Sequence, residues 1–285
     1  VRVLVTGCRG LLGVEVLEAL ELAGHETVGL GHEFDISDPM CVARISVSDL
    51  GHLDWVVNCA AYTSVDKAEE DRQAAYDTNA LGPAYLGDAC SSAGVKLLQV
   101  STDFVFDGVA DRPYTEEDST NPLNVYGETK LAGEKSLQGN HLAVVVRTSW
   151  LFGPRGKCFP KSILAAADAG KNLRVVADQI GTPTYTPFLA SRLVEVIQIN
   201  PFPGVYHLAG PDAMSWHRLA ELALSECRPS YATHVEPIPT TEWPTPAQRP
   251  KYSALDSTSL VNAGVTPILS IEESLHAFAR VLGCI

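Results

Sequence analysis

The opening thirteen residues, VRVLVTGCRGLLG, constrain the fold more than any other stretch of the chain. Val1 to Val5 is a short apolar run rich in β-branched residues, which predicts a strand. Gly7, Gly10 and Gly13 interrupt it, after which Leu12, Val16 and Leu20 recur at helical spacing until Gly24 offers a stop. Strand, glycine turn and helix therefore follow in that order. The alternation continues through ETVGLG (26–31), DWVVNCA (54–60), VKLLQVS (95–101) and LAVVVRTS (142–149), each separated by a helix-like or mixed segment. Strands that are apolar on both faces and alternate with helices predict a parallel sheet covered on each side.

The fold class expected is α/β, a Rossmann-type doubly wound parallel sheet with a smaller C-terminal α/β domain for substrate. After Trp150, prolines and glycines crowd into GPRGKCFP (153–160), GTPTYTP (181–187), NPFPG (200–204) and PIPTTEWPTPAQRP (237–250), so this half should be smaller and less regular. Residues 1–150 are expected to form the dinucleotide-binding domain. A helix at PFLASRLVEVIQ (187–198) and a strand at VYHLA (205–209) would bring about 181–209 back to that sheet, leaving 151–180 and 210–285 for the substrate.

With 46% apolar and 19% charged residues, the 285 residues suffice for one large or two modest cores. No apolar run approaches the ~18 residues that would span a bilayer, and the chain opens directly into a strand, so a soluble, cytoplasmic protein is expected. The seven cysteines are odd in number, scattered and never spaced C-x-x-C, which argues for reduced thiols rather than disulfides or zinc. None of the eight histidines falls in a metal-binding spacing, and no catalytic metal is expected. A formal charge of −13 disfavours nucleic acid or a membrane surface as partner. An anionic ligand needs donors placed locally.

TGCRGLLG (6–13) offers such donors. Glycines let the backbone approach a pyrophosphate, whose charge the N-terminus of the following helix would meet; alone, the same triplet is also an ordinary tight turn. Strand two runs into Gly29-Leu30-Gly31-His32 before Glu33, with no carboxylate at its tip. That leaves room for a 2′-phosphate, with His32 or Arg9 as donor, and makes NADPH the favoured cofactor, NADH being possible. Asp35 and Ile36 read equally as an adenine contact or as a helix-start signal. Ala61, Tyr62 and Thr63 follow the third strand, where small residues admit a ribose or simply pack a helix. STDFVFDG (101–108) puts Thr102 and Asp103 at a carboxyl edge, where open parallel sheets hold ligands, though such a run is also a common turn. NVYGETKLAGEK (124–135) spaces Tyr126 and Lys130 one helical turn apart, so that the ammonium could approach the phenol. Alone, that pair is as readily a packed ring above a solvated lysine.

Together these blocks resemble the extended short-chain dehydrogenase/reductases. Within them, NCAAYTSVDKAE (58–69), YGETKLAGE (126–134), VRTSWLFGPRG (146–156), VVADQIGTPT (175–184), VYHLAG (205–210) and PTPAQRP (244–250) resemble the dTDP-4-dehydrorhamnose reductase family, in order and over nearly the whole chain. The resemblance implies reduction of the C4 keto group of a nucleotide-linked 4-keto-6-deoxyhexose. It implies Tyr126 as proton donor, Lys130 as the group that binds the nicotinamide ribose and lowers the phenol pKa, and Thr102 in the usual serine position, holding the substrate carbonyl. Asp103 and Trp150 match sugar-contacting positions; Gly10, Leu11, Leu12, Asp35, Ile36, Ala61, Tyr62 and Thr63 match cofactor positions. Arg249 would meet the nucleotide phosphates or a surface carboxylate. For some relatives the resemblance also hints at a magnesium ion between subunits, with Glu15 among its ligands; monomer and homodimer both remain open. Two other readings fit the same blocks: a 4-ketoreductase for another nucleotide deoxysugar, and a non-catalytic cofactor-binding subunit similar to the β subunit of methionine adenosyltransferase. An intact Thr102, Tyr126 and Lys130 set favours an enzyme.

Overall fold

The structure, a computed structural model, describes residues 1–45, 50–231 and 235–285. Strand β1 (Arg2–Thr6) leads into helix α1 (Gly13–Leu22), and β2 (Glu26–Leu30), β3 (Trp55–Asn58), α2 (Gly82–Ala93), β4 (Lys96–Thr102), α3 (Val125–Ser136) and β5 (Ala143–Thr148) follow. Further on lie α4 (Phe159–Asp168), β6 (Leu173–Val176), α5 (Thr186–Ile199), β7 (Gly204–His207), α6 (Trp216–Cys227), β8 (Val235–Ile238) and α7 (Ile271–Leu282). The main sheet has six parallel strands in the order β7-β5-β4-β3-β1-β2.

Alternation along β1 explains the apolar strands. Val3 and Val5 point into one core with Val16 and Leu20 of α1 and Leu189 and Leu193 of α5, whereas Leu4 points to the other with Leu86 of α2 and Phe34. Both faces are thus buried under helices, the doubly wound arrangement expected. Helix α5 packs beside α1, and β7 pairs in parallel with β5 as the edge strand of the sheet. A separate apolar cluster joins Phe152, Leu164, Leu173, Tyr185, Leu219, Leu224, Ile271 and Phe278, from α4, β6, α6, α7 and the segments between. Beside it, β6 and β8 form a two-stranded parallel pair.

The strand order reverses at β1, whose neighbours are β2 and β3, so the connections from β1 and β3 run to helices on opposite faces of the sheet and a crevice opens at the carboxyl edge. All seven cysteines are free, as expected. Among the described residues no helix is long and apolar enough to cross a membrane.

Candidate active site

A cleft of about 1420 Å³ occupies that crevice and extends over the second apolar cluster. Gly7 lies in its floor with φ +65°, and a Cβ there would stand 2.6 Å from the Ala60 nitrogen; only glycine lets the β1 and β3 loops meet so closely. Leu12, at the N-cap of helix α1, offers no side-chain cap, and the positive end of the helix dipole faces the glycine loop. Gly10, Leu11, Leu12, Asp35, Ile36, Ala61, Tyr62 and Thr63 all line the cleft. Gly13 does not: it sits beneath the loop, where a Cβ would collide with the Gly7 carbonyl. This end of the cleft fits a dinucleotide.

Two expectations at the adenosine end are revised. The tip of strand two is not free of carboxylate, because Glu33 curls back: its Oε1 accepts from the Gly31 N–H at 2.8 Å and its Oε2 pairs with Arg9 Nη2 at 3.3 Å. A two-residue turn was enough to return the acid to the tip. Asp35 is not a helix cap; Asp38 caps the following short helix by accepting from Met40 N, while Asp35 accepts from Ser37 N–H and hydroxyl at the cleft wall.

At the other end, α3 begins at Asn124, whose side chain accepts from Gly127 N at 2.8 Å and donates to the Gln248 carbonyl at 2.7 Å. That cap fixes the turn carrying Tyr126. A Cβ on Gly127 would strike the Phe104 carbonyl, so glycine after the tyrosine brings α3 against the loop that follows Thr102. The Thr102 hydroxyl hydrogen-bonds the Tyr126 phenol, and Lys130, buried, donates from Nζ to the Val100 carbonyl at 2.7 Å. Thr102, Tyr126 and Lys130 therefore converge on one point of the cleft, with Asp103 beside them.

The expected acidification of the phenol by Lys130 is not what this arrangement gives. Burial pushes Tyr126 up to about 12, the Thr102 hydrogen bond opposes it, and the Asp103 charge adds to it. The ammonium is turned to the backbone of β4 instead, and burial lowers it to about 8. Burial likewise raises Asp103 to about 7 against hydrogen bonds from Ser253 (2.5 Å) and Thr102 (3.1 Å).

Trp150, with φ +46°, lines the cleft, but one ring face is already stacked on Trp216 (centroids 3.5 Å apart, planes at 4°). Arg249 is ion-paired with Asp66 across the rim, with Nη2 2.7 Å from Oδ2. The outer wall holds residues that sequence reasoning missed: Trp216, Trp243, Phe159, Lys157, Lys171 and Arg174. Nothing in their local sequence links them to β1; Phe159 and Trp216 reach the cleft by packing against the second core. Glu15 is buried with Arg155 3.9 Å away, and no group of three or more His, Cys, Asp or Glu among the described residues could hold a metal; the interfacial magnesium site finds no support.

A family defined as the RmlD substrate binding domain matches residues 1–283. A dTDP-4-dehydrorhamnose reductase of Mycolicibacterium smegmatis is 37% identical, over 99% of this chain and 86% of that protein. The chain belongs to the dTDP-4-dehydrorhamnose reductase family. Two solved members superpose closely: that of Clostridium acetobutylicum, 36% identical with a TM-score of 0.91 over 99% of this chain and 100% of that one, and that of Bacillus anthracis in complex with NADP, 34% identical with a TM-score of 0.90 over 98% of both. A UDP-glucose 4-epimerase from Thermus thermophilus, 20% identical with a TM-score of 0.83 over the whole of both chains, shares the fold. Against these members the cleft, not the sheet, is where this chain's specificity has to be read.

Proposed function

We propose that this chain reduces the C4 keto group of dTDP-4-dehydrorhamnose to give dTDP-L-rhamnose, using NADPH in preference to NADH, in the cytoplasm. In this reading residues 1–150 with 181–209 bind the dinucleotide, and 151–180 with 210–285 bind the sugar nucleotide. The observation that carries it is the meeting of Thr102, Tyr126 and Lys130 at the sheet's carboxyl edge, in one continuous cleft with the glycine loop.

A nicotinamide cofactor, when bound, supplies the hydride. Gly7, Gly10 and the uncapped start of α1 hold its pyrophosphate, and Ala61, Tyr62 and Thr63 the ribose side of the crevice. Thr102 donates a hydrogen bond to the substrate carbonyl oxygen, keeping its own proton and fixing that oxygen beside Tyr126. The phenol, protonated throughout the neutral range, gives its proton to the same oxygen as negative charge grows there. Lys130, tied to the Val100 carbonyl in the same cleft, presents its ammonium to the nicotinamide ribose. Asp103 and Ser253 form a hydrogen-bonded pair at the sugar side.

The test is NADPH oxidation with dTDP-4-dehydrorhamnose, with the product's C4 configuration read by NMR. Tyr126→Phe should lower kcat at least ~100-fold while cofactor affinity stays unchanged. A folded Y126F with near-native turnover would remove the phenol from the reaction.

A further inference from the structure

Three successive residues of β4 each hold one rung of the same face of α3. The Val100 carbonyl accepts from Lys130 Nζ (2.7 Å), the Ser101 hydroxyl donates to Glu134 Oε1 (2.5 Å), and the Thr102 hydroxyl hydrogen-bonds Tyr126. Tyr126, Lys130 and Glu134 are spaced by four, so their side chains stand one above another along the helix. The lowest rung is the most heavily fixed. Arg147 of β5 reaches Glu134 with Nε at 3.0 and 3.1 Å to its two oxygens and with Nη2 at 2.7 Å, and both side chains are about 5% exposed or less. Arg147 is steadied in turn by His207 of β7, whose Nε2 lies 3.3 Å from Nη1 and whose Nδ1 lies 3.0 Å from the Tyr114 carbonyl.

A buried ion pair of this kind is a poor source of stability, because desolvating both charges offsets most of their attraction. Its geometry suits a different purpose. We propose that Glu134 is a positioning residue for the Tyr126 and Lys130 pair: clamped by Arg147 and Ser101, it locks the register of α3 on β4 and faces the Lys130 ammonium with a fixed negative charge.

The groups facing Lys130 support this. From its own helix comes Glu134, which favours the charged form; from the end of β3 comes the Cys59 thiol, raised by burial to about 12 and so neutral through the physiological range; from β4 comes the Val100 carbonyl. Burial works against the ammonium and lowers it to about 8, and among the described residues Glu134 is the carboxylate that opposes this and favours the charged form. On the far side of the carboxylate, Arg147 and the neutral His207 complete the cluster.

The inference rests on Tyr126 and Lys130 being the reacting pair, and the test separates the two. Lysine ε-carbons in 13C-labelled protein are followed by NMR against pH without any ligand, with Lys130→Met supplying the assignment. In E134Q the Lys130 midpoint should fall by about one unit or more, the effect of removing an opposite charge at this range. The alkaline limb of kcat should move down in step, with KM for NADPH changed less than kcat. Should E134Q fail to fold, E134M/R147M, which removes both charges at once, is expected to show the same two movements. A folded variant whose midpoint and pH profile match the native protein, with only the melting temperature lowered, overturns the positioning role. Native turnover in Lys130→Met overturns the reading of the pair itself, and the role of Glu134 with it.

Discussion

Glu33 and Asp103 show how one side chain can decide a property that composition leaves open. Glu33 faces solvent, yet the Gly31 N–H and the Arg9 guanidinium hold its carboxyl below the usual range, so it stays ionised and keeps Arg9 occupied. Glu33→Gln should free Arg9 for a 2′-phosphate. An exposed pair is weak, so KM for NADPH relative to NADH should fall by no more than ~5-fold. Steady-state kinetics with both cofactors checks this, and an unchanged ratio would mean Arg9 takes no part in the choice. Asp103 is raised to about 7 from an ordinary 3.8. Between those values the native state holds a proton that the unfolded chain has lost, so this group's contribution to stability is present below about pH 4 and lost as pH rises through 7. Asp103→Asn removes that dependence. Its melting temperature should drop less between pH 5 and pH 8 than the native protein's, and equal drops would count against the shift.

At the scale of elements, helices α3 and α6 each deliver one aromatic residue to the cleft. Asn124 both caps α3 and ties it to residue 248, and losing a side-chain cap typically costs about 1 kcal/mol. Asn124→Ala should therefore lower the melting temperature modestly, and kcat more noticeably, because the loosened turn carries Tyr126. Helix α6 opens with Trp216, capped by Ser215 and stacked on Trp150. An L-residue at φ +46° such as Trp150 is strained by about 1 kcal/mol or more and persists only where its surroundings hold it. Trp216→Ala removes that support. A rise of about tenfold in KM for the sugar nucleotide is expected from losing some 1.4 kcal/mol of ordering, with the NADPH affinity unmoved, measured by titrating each ligand separately.

Across the whole molecule, the cleft is bounded by the six-stranded sheet on one side and the second apolar core on the other. The strap at 244–253 is tied to the sheet side of the cleft: Arg249 pairs with Asp66, Gln248 accepts from Asn124, and Ser253 donates to Asp103. A ligand that binds only the folded chain stabilises it by about 2.7 kcal/mol at a hundredfold excess over Kd. NADPH should thus raise the melting temperature by roughly 5 °C, given a few degrees per kcal/mol for a domain of this size. No shift at saturating cofactor would argue against the dinucleotide site.

The alternation of β1, α1 and the strands after it was legible in the sequence because period and glycine placement are local properties: Val3, Leu4 and Val5 need only their own spacing to declare two buried faces. The same is true of Tyr126 and Lys130, one turn apart on a capped helix. What folding alone decided were contacts between residues far apart in the chain. Trp216 meets Trp150, Arg147 meets Glu134, and Glu33 returns to Gly31 by a turn that no spacing rule announces. The charge state of the phenol belongs here too, since burial is a property of the packed molecule and sets it, while the lysine that the sequence put forward turns to the backbone of β4.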